Sequence, residues 1–369
     1  MYRRQIWIVP TVLLFLCGLA KAGTFSTFDA PGGANGTFPF AIDEGGGVTG
    51  YYIDANYTGH GFLRAADGTS TTFDAPGGVN GTYAFSSSQA GYITGYYLDA
   101  HFVAHGFLRG SDGTFTVFDA PHAVHGTYPS SISATGDLIA GHYFGDNYTR
   151  HGFLRPAKGK VTTFDDPDGR DNTDAVAVNA AGLIAGCYRD ANNVFQGFSR
   201  DSGGAFDTLN PPDSKNFYNY CESWLTGGPA PSFPFAPAMA LNTSGTITGA
   251  FFGPAENFFG GNYRGFLRAE DGTYDTFDAV PDPSSPCCTR TFPMAINAAG
   301  AVAGYYNDFA TLNHGFVRAA DGTLTPLDVP DAGTTYNRGT VADGINGSGV
   351  VTGWYIDASG AFHGFVWMP

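Results

Sequence analysis

Recurring histidine and aspartate residues are the first candidates for chemistry in this 369-residue chain. The phrase HGFLRAADGTSTTFDAP begins at residue 60, and its histidine returns in four further units, giving His60, His105, His151, His314 and His363. A two-residue Asp-Gly turn would place Gly61 opposite Asp74, with His60 as the diagonal neighbour of that aspartate. A histidine beside a carboxylate can act as a general acid–base pair. Because the pair recurs, we predict that it braces strands instead of catalysing a reaction.

Two glutamates and a set of aromatic residues form the second candidate. Glu222 and Glu256 lie in irregular segments, and paired carboxylates can cleave a glycosidic bond. Flat aromatic groups in the same segments suit the apolar faces of sugar rings: Tyr218, Tyr220, Trp224, Phe258, Phe259 and Tyr263. Three interpretations stay open, namely loop anchors, a binding surface, and a catalytic site. The chain has no H-E-x-x-H, G-x-S-x-G or phosphate-binding glycine motif, so enzyme activity is the least favoured.

An acidic segment, DDPDGRDNTD at 165–174, offers hard oxygen ligands through Asp166, Asp168 and Asp171. Calcium prefers such ligands, although Gly169 comes too early for an EF-hand loop. A solvated acidic turn is the favoured interpretation, and calcium is the only cofactor that we retain as an alternative.

The cysteines predict local disulfide bonds. Cys221 is expected to pair with Cys287 or Cys288, because these residues occupy equivalent connections of adjacent units. Cys187 replaces an aromatic residue within a strand, and we predict a buried free thiol there.

The first residues predict export. Residues 1–22 have a positive start, an apolar run and an A-x-A cleavage site, which is typical of a signal peptide; an uncleaved membrane anchor is the rival interpretation. Removal of this segment moves the formal charge from −15 to −18, which disfavours nucleic acid and anionic membrane surfaces as partners. We expect a secreted or periplasmic monomer with no membrane span after cleavage.

The repeat itself predicts the fold. A Gly-Phe pair recurs seven times, with its glycine at 61, 106, 152, 197, 265, 315 and 364. Each unit of about 45–68 residues offers four short strands separated by glycine turns, and helical spacing is absent. We predict an all-β, seven-bladed β-propeller in one domain at 23–369. The last unit lacks its fourth strand, while TFSTFDAP at 24–31 is an orphan strand, so we predict that it closes the ring. The arginine that follows each of the first six Gly-Phe pairs is expected to pair with local acids: Arg64, Arg109, Arg155, Arg200, Arg268 and Arg318.

The shared pattern G-x-I-x-G-Y-Y-x-D, H-G-F-L, D-G-T-x-T-x-F-D-A-P and I-N resembles the bacterial probable extracellular repeats of the HAF type over residues 24–369. Here glycine fills the middle of the family's His-Ala-Phe, which we expect to loosen the strand without changing the fold. The resemblance implies an exported repeat protein and carries over no catalytic residue.

The repeat is interrupted most at 210–235, 251–265 and 281–293, all in connections that a propeller places on one face. We therefore expect a binding protein that engages a polysaccharide or a cell-surface partner through the connections around the fifth blade. A secreted carbohydrate lyase or hydrolase at the same face, and a purely structural envelope protein, are the alternatives.

Overall fold

The computed structural model describes residues 23–156, 158–214, 239–253, 263–279, 290–308 and 311–369, without the side chains of Arg170 and Asp171. Within these ranges the chain forms 28 strands and no helix. No helix of the described part is long and apolar enough to cross a membrane. The all-β prediction is confirmed.

The strands follow one another in groups of four. The chain opens with β1 (Thr24–Phe28). The first group is β2 (Thr37–Ile42), β3 (Val48–Ile53), β4 (Gly59–Arg64) and β5 (Ser70–Phe73). The second is β6 (Thr82–Ser87), β7 (Ile93–Leu98), β8 (Ala104–Arg109) and β9 (Phe115–Phe118). The third is β10 (Thr127–Ile132), β11 (Leu138–Phe144), β12 (Arg150–Pro156) and β13 (Thr162–Phe164). The fourth is β14 (Gly169–Val178), β15 (Ile184–Asp190), β16 (Phe195–Arg200) and β17 (Phe206–Leu209).

The remaining strands continue the pattern. The fifth group is β18 (Met239–Leu241), β19 (Ile247–Phe252), β20 (Tyr263–Arg268) and β21 (Tyr274–Phe277). The sixth is β22 (Arg290–Ile296), β23 (Val302–Asn307), β24 (Asn313–Arg318) and β25 (Leu324–Leu327). The last is β26 (Gly339–Ile345), β27 (Val351–Ile356) and β28 (Phe362–Met368).

Each group is an antiparallel sheet, and the two ends of the chain share one. The first four groups are separate four-stranded sheets, whereas single parallel pairings, such as Tyr263↔Arg290, link the later groups. Strand β1 pairs with β28 from Thr24↔Met368 to Phe28↔Gly364. The N-terminal strand therefore takes the fourth place beside β26, β27 and β28.

The turn between the third and fourth strands differs from the sequence prediction. Ala65 N donates to Thr69 O (2.8 Å) and Gly68 N donates to Ala65 O (2.9 Å), so the loop holds three residues, with Gly68 at a φ of 92°. The register shifts by one residue, and Gly61 pairs with Phe73. A Cβ on Gly61 would lie 2.2 Å from the Phe73 ring, so the glycine is required by close packing and does not loosen the strand.

The arginines of the third strands pack on phenylalanine rings of the preceding group. Arg64 lies over the ring of Phe28 (4.7 Å) and Arg109 over Phe73 (4.9 Å), and the same contact joins Arg155 to Phe118, Arg200 to Phe164 and Arg318 to Phe277. The predicted local acids lie near Arg64 and Arg109, whose charges lower the pKa values of Asp67 and Asp112, but the close partner of each guanidinium is the aromatic face. Arg268 and Arg318 do contact Asp207 and Asp275.

Asparagines at the ends of the first strands connect later groups around the molecule. Asn179 Nδ2 donates to Asn242 O (3.3 Å), Asn242 Nδ2 to Asn297 O (3.2 Å), and Asn297 Nδ2 to Asn346 O (2.9 Å). Asn346 Nδ2 then donates to Asp43 O (3.0 Å), which joins the last group to the first. These bonds hold the first strands of neighbouring groups in a common register.

Candidate functional site

The repeated histidine is held between two aspartates and an aromatic ring. His60 Nδ1 lies 2.9 Å from Asp74 Oδ1, and its Nε2 lies 3.6 Å from Asp54 Oδ2. The imidazole stacks on Tyr52 with the ring centroids 5.1 Å apart. The contact to the fourth strand recurs as His105–Asp119, His151–Asp165, His314–Asp328 and His363–Asp29. The predicted brace is confirmed, with directly opposed residues in place of diagonal neighbours, and Arg264–Asp278 replaces it in the fifth group.

The brace in the sixth group gives a pH prediction. The hydrogen bond to Asp328 raises the pKa of His314 above 6.5. This stabilisation is complete below pH 6.5 and is lost as the pH rises through the higher pKa of the folded protein. We expect Asp328→Asn to lower the His314 pKa in an NMR titration, and to reduce stability by less than about 1 kcal/mol because the pair is partly exposed. Asp308→Asn, at the longer 3.7 Å contact, is the matched control and should shift the pKa less; an equal shift would contradict the assignment.

A buried charged cluster lies between the third and fourth groups. His142 Nδ1 is 2.9 Å from Asp174 Oδ1, and Arg150 Nη1 is 3.0 Å from Asp174 Oδ2. Burial alone would raise the pKa of Asp174, but the charges and hydrogen bonds of His142 and Arg150 hold it below 3.8. The sequence analysis missed this cluster. Its signal was present, because His142 departs from the Gly-Tyr-Tyr pattern that the repeat has at Gly50.

The acidic segment does not gather its carboxylates in the described part of the chain. Asp166 is buried, its Oδ1 accepts from the backbone of Asp168 (2.9 Å), and burial raises its pKa. The carboxylate of Asp174 already contacts Arg150 in the charged cluster. The Asp171 side chain lies outside the described residues. No group of three or more potential metal ligands occurs among the described residues. Calcium at Asp166, Asp168 and Asp171 stays a prediction.

The cysteine prediction is corrected at one position. Cys187 is buried as expected, but it is disulfide-bonded and not a free thiol. The position of a residue in a strand predicts its burial and does not predict which segment packs against it. Cys221, Cys287 and Cys288 lie outside the described residues, so their pairing stays a prediction.

Most of the predicted site around the fifth group also lies outside the described residues: Tyr218, Tyr220, Trp224, Phe258, Phe259, Glu222 and Glu256. Tyr263 is described and half-buried. Its ring packs 5.5 Å from Phe292, and the Arg290 guanidinium lies 5.9 Å from its centroid. Strands β20 and β22 start side by side, with Tyr263 paired with Arg290.

Three aromatic side chains stand exposed at that end of the molecule. Tyr57, Phe102 and Tyr148 occupy the same place in the turns between second and third strands of three successive groups, and are 69%, 61% and 67% exposed. Their φ values are 63°, 61° and 57°, in the left-handed region that bulky residues avoid. The last group has Gly360 at this place. The sequence signal is an aromatic residue where the turn favours glycine or asparagine, and it was not recognised.

A cavity of about 300 Å³ lies where the first strands of all the groups converge. Six of these strands carry a β-bulge. The six bulged residues all line the cavity: Phe40, Phe85, Ser130, Val176, Met294 and Asp343. The cavity extends to the turns between first and second strands, which is the end opposite to Tyr57 because adjacent strands are antiparallel.

No family model and no curated protein matches the chain. Solved structures do match in architecture. A streptogramin B lyase is 14% identical over 93% of this chain and 97% of its own, with a TM-score of 0.55. The β-propeller domain of the Trilobed protease from Pyrococcus furiosus is 10% identical over 90% of this chain and 96% of its own, with a TM-score of 0.57. At this identity the likeness shows the fold alone, and the chain has a β-propeller-type fold.

Proposed function

We propose that the mature chain, residues 23–369, is an exported, closed, seven-bladed β-propeller of the HAF-repeat type that binds polysaccharide. The binding face is formed by the turns between second and third strands and by the connections that join one blade to the next. The exposed trio of Tyr57, Phe102 and Tyr148 is the observation that carries this proposal.

The trio combines two unfavourable features that a purely structural turn would not need. A left-handed conformation costs a bulky residue about 1–2 kcal/mol relative to the usual region. A large aromatic ring that stays exposed also contributes none of the stabilisation that its burial would give the folded protein. Glycine fills the same turn place in the last group, so the turn itself does not require an aromatic residue. Strained and exposed residues of this kind are typical of binding surfaces.

The surroundings of the trio favour a carbohydrate. The three aromatic side chains lie in turns that begin with Asp54, Asp99 or Gly145, and the Tyr148 ring stacks on the His125 imidazole with the ring centroids 3.8 Å apart. Separate flat rings next to hydrogen-bonding groups suit sugar rings, which have apolar faces and hydroxyl edges. The proposal extends the binding face to the aromatic residues expected from the sequence: Tyr218, Tyr220, Trp224, Phe258 and Phe259.

The test is binding of the mature chain to a panel of cellulose, chitin, xylan and α-glucan by co-sedimentation. We expect Tyr57→Gly/Phe102→Gly/Tyr148→Gly to weaken binding by about tenfold or more. The same variant should keep or gain stability, up to about 1 kcal/mol for each turn, because glycine relieves the left-handed strain. Urea unfolding provides that second measurement.

Val117→Ala is the matched control, because Val117 is 47% exposed on the fourth strand of the second group and away from the face. Unchanged binding in the triple variant, or no binding of the wild type to any polysaccharide, would overturn the proposal. New chain ends in the soluble fraction would instead indicate cleavage, and the variants Glu222→Gln and Glu256→Gln would then test the two carboxylates.

A further inference from the structure

The central cavity holds one acid in an apolar layer. Asp343 is only 7% exposed, and its Oδ2 is buried with no close hydrogen bond in the described part of the chain; the Trp354 indole is near enough to favour the charged form, but burial outweighs it. The corresponding bulged residues of other groups include Phe40, Phe85 and Met294. A buried carboxylate oxygen without a partner is rare and costly, so this aspartate needs an explanation.

The charge of the cavity defines what would satisfy that acid. Among the described residues that line it, Asp43, Glu44 and Asp343 are acidic and none is lysine, arginine or histidine. Carboxylates in a low-dielectric channel attract a cation strongly. The protein does not supply that cation from its described lining residues.

The lining also distinguishes an organic cation from a metal ion. Hard metal ions need several oxygen ligands, whereas the other bulged residues that line the cavity are apolar except for Ser130, and no metal-binding cluster is present among the described residues. Phe40 and Phe85 lie next to each other, with ring centroids 5.2 Å apart, and both line the cavity. Aromatic faces stabilise ammonium groups, and the rest of the layer suits an apolar body.

We propose that the central cavity binds a small organic monocation, an amine or quaternary ammonium compound with an apolar body, whose charged group pairs with Asp343. This site is independent of the polysaccharide face, since it lies at the opposite end of the ring. Asp343 occupies a position at which other groups, such as the first with Phe40, carry an apolar residue.

The test is isothermal titration calorimetry of the mature chain with 2-phenylethylammonium, cyclohexylammonium and benzyltrimethylammonium. We expect at least one of these cations to bind, and Asp343→Asn to weaken it by about tenfold or more. The neutral analogue 2-phenylethanol should bind the wild type at least about tenfold more weakly than 2-phenylethylammonium. Glu44→Gln, at the exposed mouth of the cavity, is the matched control and should change the affinity by less than about threefold.

Three results would overturn the proposal: no binding of any cation, equal affinity in Asp343→Asn, or equal affinity for the neutral alcohol. A thermal shift supplies a second readout, because the bound cation should raise the Tm of the wild type and leave that of Asp343→Asn unchanged. An Asp343→Asn variant that folds with a higher Tm excludes misfolding as the reason for lost binding.

The same acid gives a stability prediction without ligand. Burial raises the pKa of Asp343 well above 3.8 against the opposing effect of the Trp354 indole, and the titratable groups that face it are the Tyr51 phenol and, at the mouth, Asp43 and Glu44. Because the folded state then binds more protons than the unfolded state, stability falls as the pH rises above 3.8. We expect Asp343→Asn to raise the Tm at pH 7 by roughly 2–4 °C and to change it little at pH 4. A lower Tm at pH 7 would contradict an unpaired acid.

Discussion

Deletion of residues 24–31 is expected to lower the Tm of the mature chain by roughly 10 °C or more, corresponding to a loss of about 5 kcal/mol. The deletion removes the five pairings of β1 with β28. It also removes the Phe28 ring that lies beneath Arg64 and the carboxylate of Asp29 that contacts His363. Differential scanning calorimetry of the deleted and complete mature chains measures the effect.

A relocated strand provides the control for this deletion. Residues 24–31 would be placed after Met368 through an Ala-Asp-Gly loop, which copies residues 320–322 between β24 and β25, so that Met368 and Thr24 take the places of Ala319 and Thr323. If the strand acts by pairing with β28, the relocated version should recover most of the lost Tm. Equal Tm values for the deleted and complete chains would show that β1 is dispensable, and would contradict the proposed ring closure.

Asp174→Ala is the second substitution with a large expected effect, a loss of about 3–5 kcal/mol in the free energy of unfolding. The substitution leaves the Arg150 guanidinium, which is 0% exposed, and the buried His142 without their carboxylate. Chemical denaturation at pH 7 measures it. The pH dependence has a definite sign: because the pKa of Asp174 is held below 3.8, the wild-type advantage is complete above that pH and is lost as the pH falls further.

Two variants separate charge from packing at this cluster. Asp174→Asn keeps the shape and removes the charge, and we expect it to lose most of the same free energy. The combined variant His142→Tyr/Asp174→Tyr/Arg150→Ala restores the aromatic contact seen between Tyr96 and Tyr128 of the preceding groups, whose ring centroids are 5.0 Å apart. It should be more stable than Asp174→Ala. An Asp174→Ala protein as stable as the wild type would show that the buried charges are already compensated.

Features that depend on one repeat unit were predictable. Alternating residues, glycine turns and the recurring His-Asp pair identified the strands, their grouping in fours, and the brace between His60 and Asp74. The error of one residue in the register arose because Asp67-Gly68 belongs to a three-residue loop with Gly68 left-handed. Both loop lengths are compatible with the same Asp-Gly pair, so the dipeptide does not distinguish them.

Contacts between units were not predictable in the same way. The prediction of acid partners missed the main contact of Arg64, Arg109, Arg155 and Arg200, because the adjacent group offers a phenylalanine face to each guanidinium. The free thiol assigned to Cys187 was wrong because its disulfide depends on which segment lies beside that strand. The exposed trio and Asp343 appear in the sequence only as small departures from the repeat. They become candidate binding residues only because the structure shows the trio exposed and Asp343 buried.

By itself, the amino-acid sequence determined that the chain is all-β, that its strands come in groups of four, and that five units are braced by histidine and aspartate. These features follow from φ preferences, side-chain alternation and hydrogen bonds over a few residues within one unit. Only the tertiary structure decided which departures from the repeat meet, and how buried they are. Radial packing brings together equivalent positions of different units, such as Asp43 and Asn346, which are 303 residues apart. Both acids are buried, so their partners decide the sign of the charge effect: His142 and Arg150 hold Asp174 ionised, whereas Asp343, opposed only by the Trp354 indole, favours the protonated form.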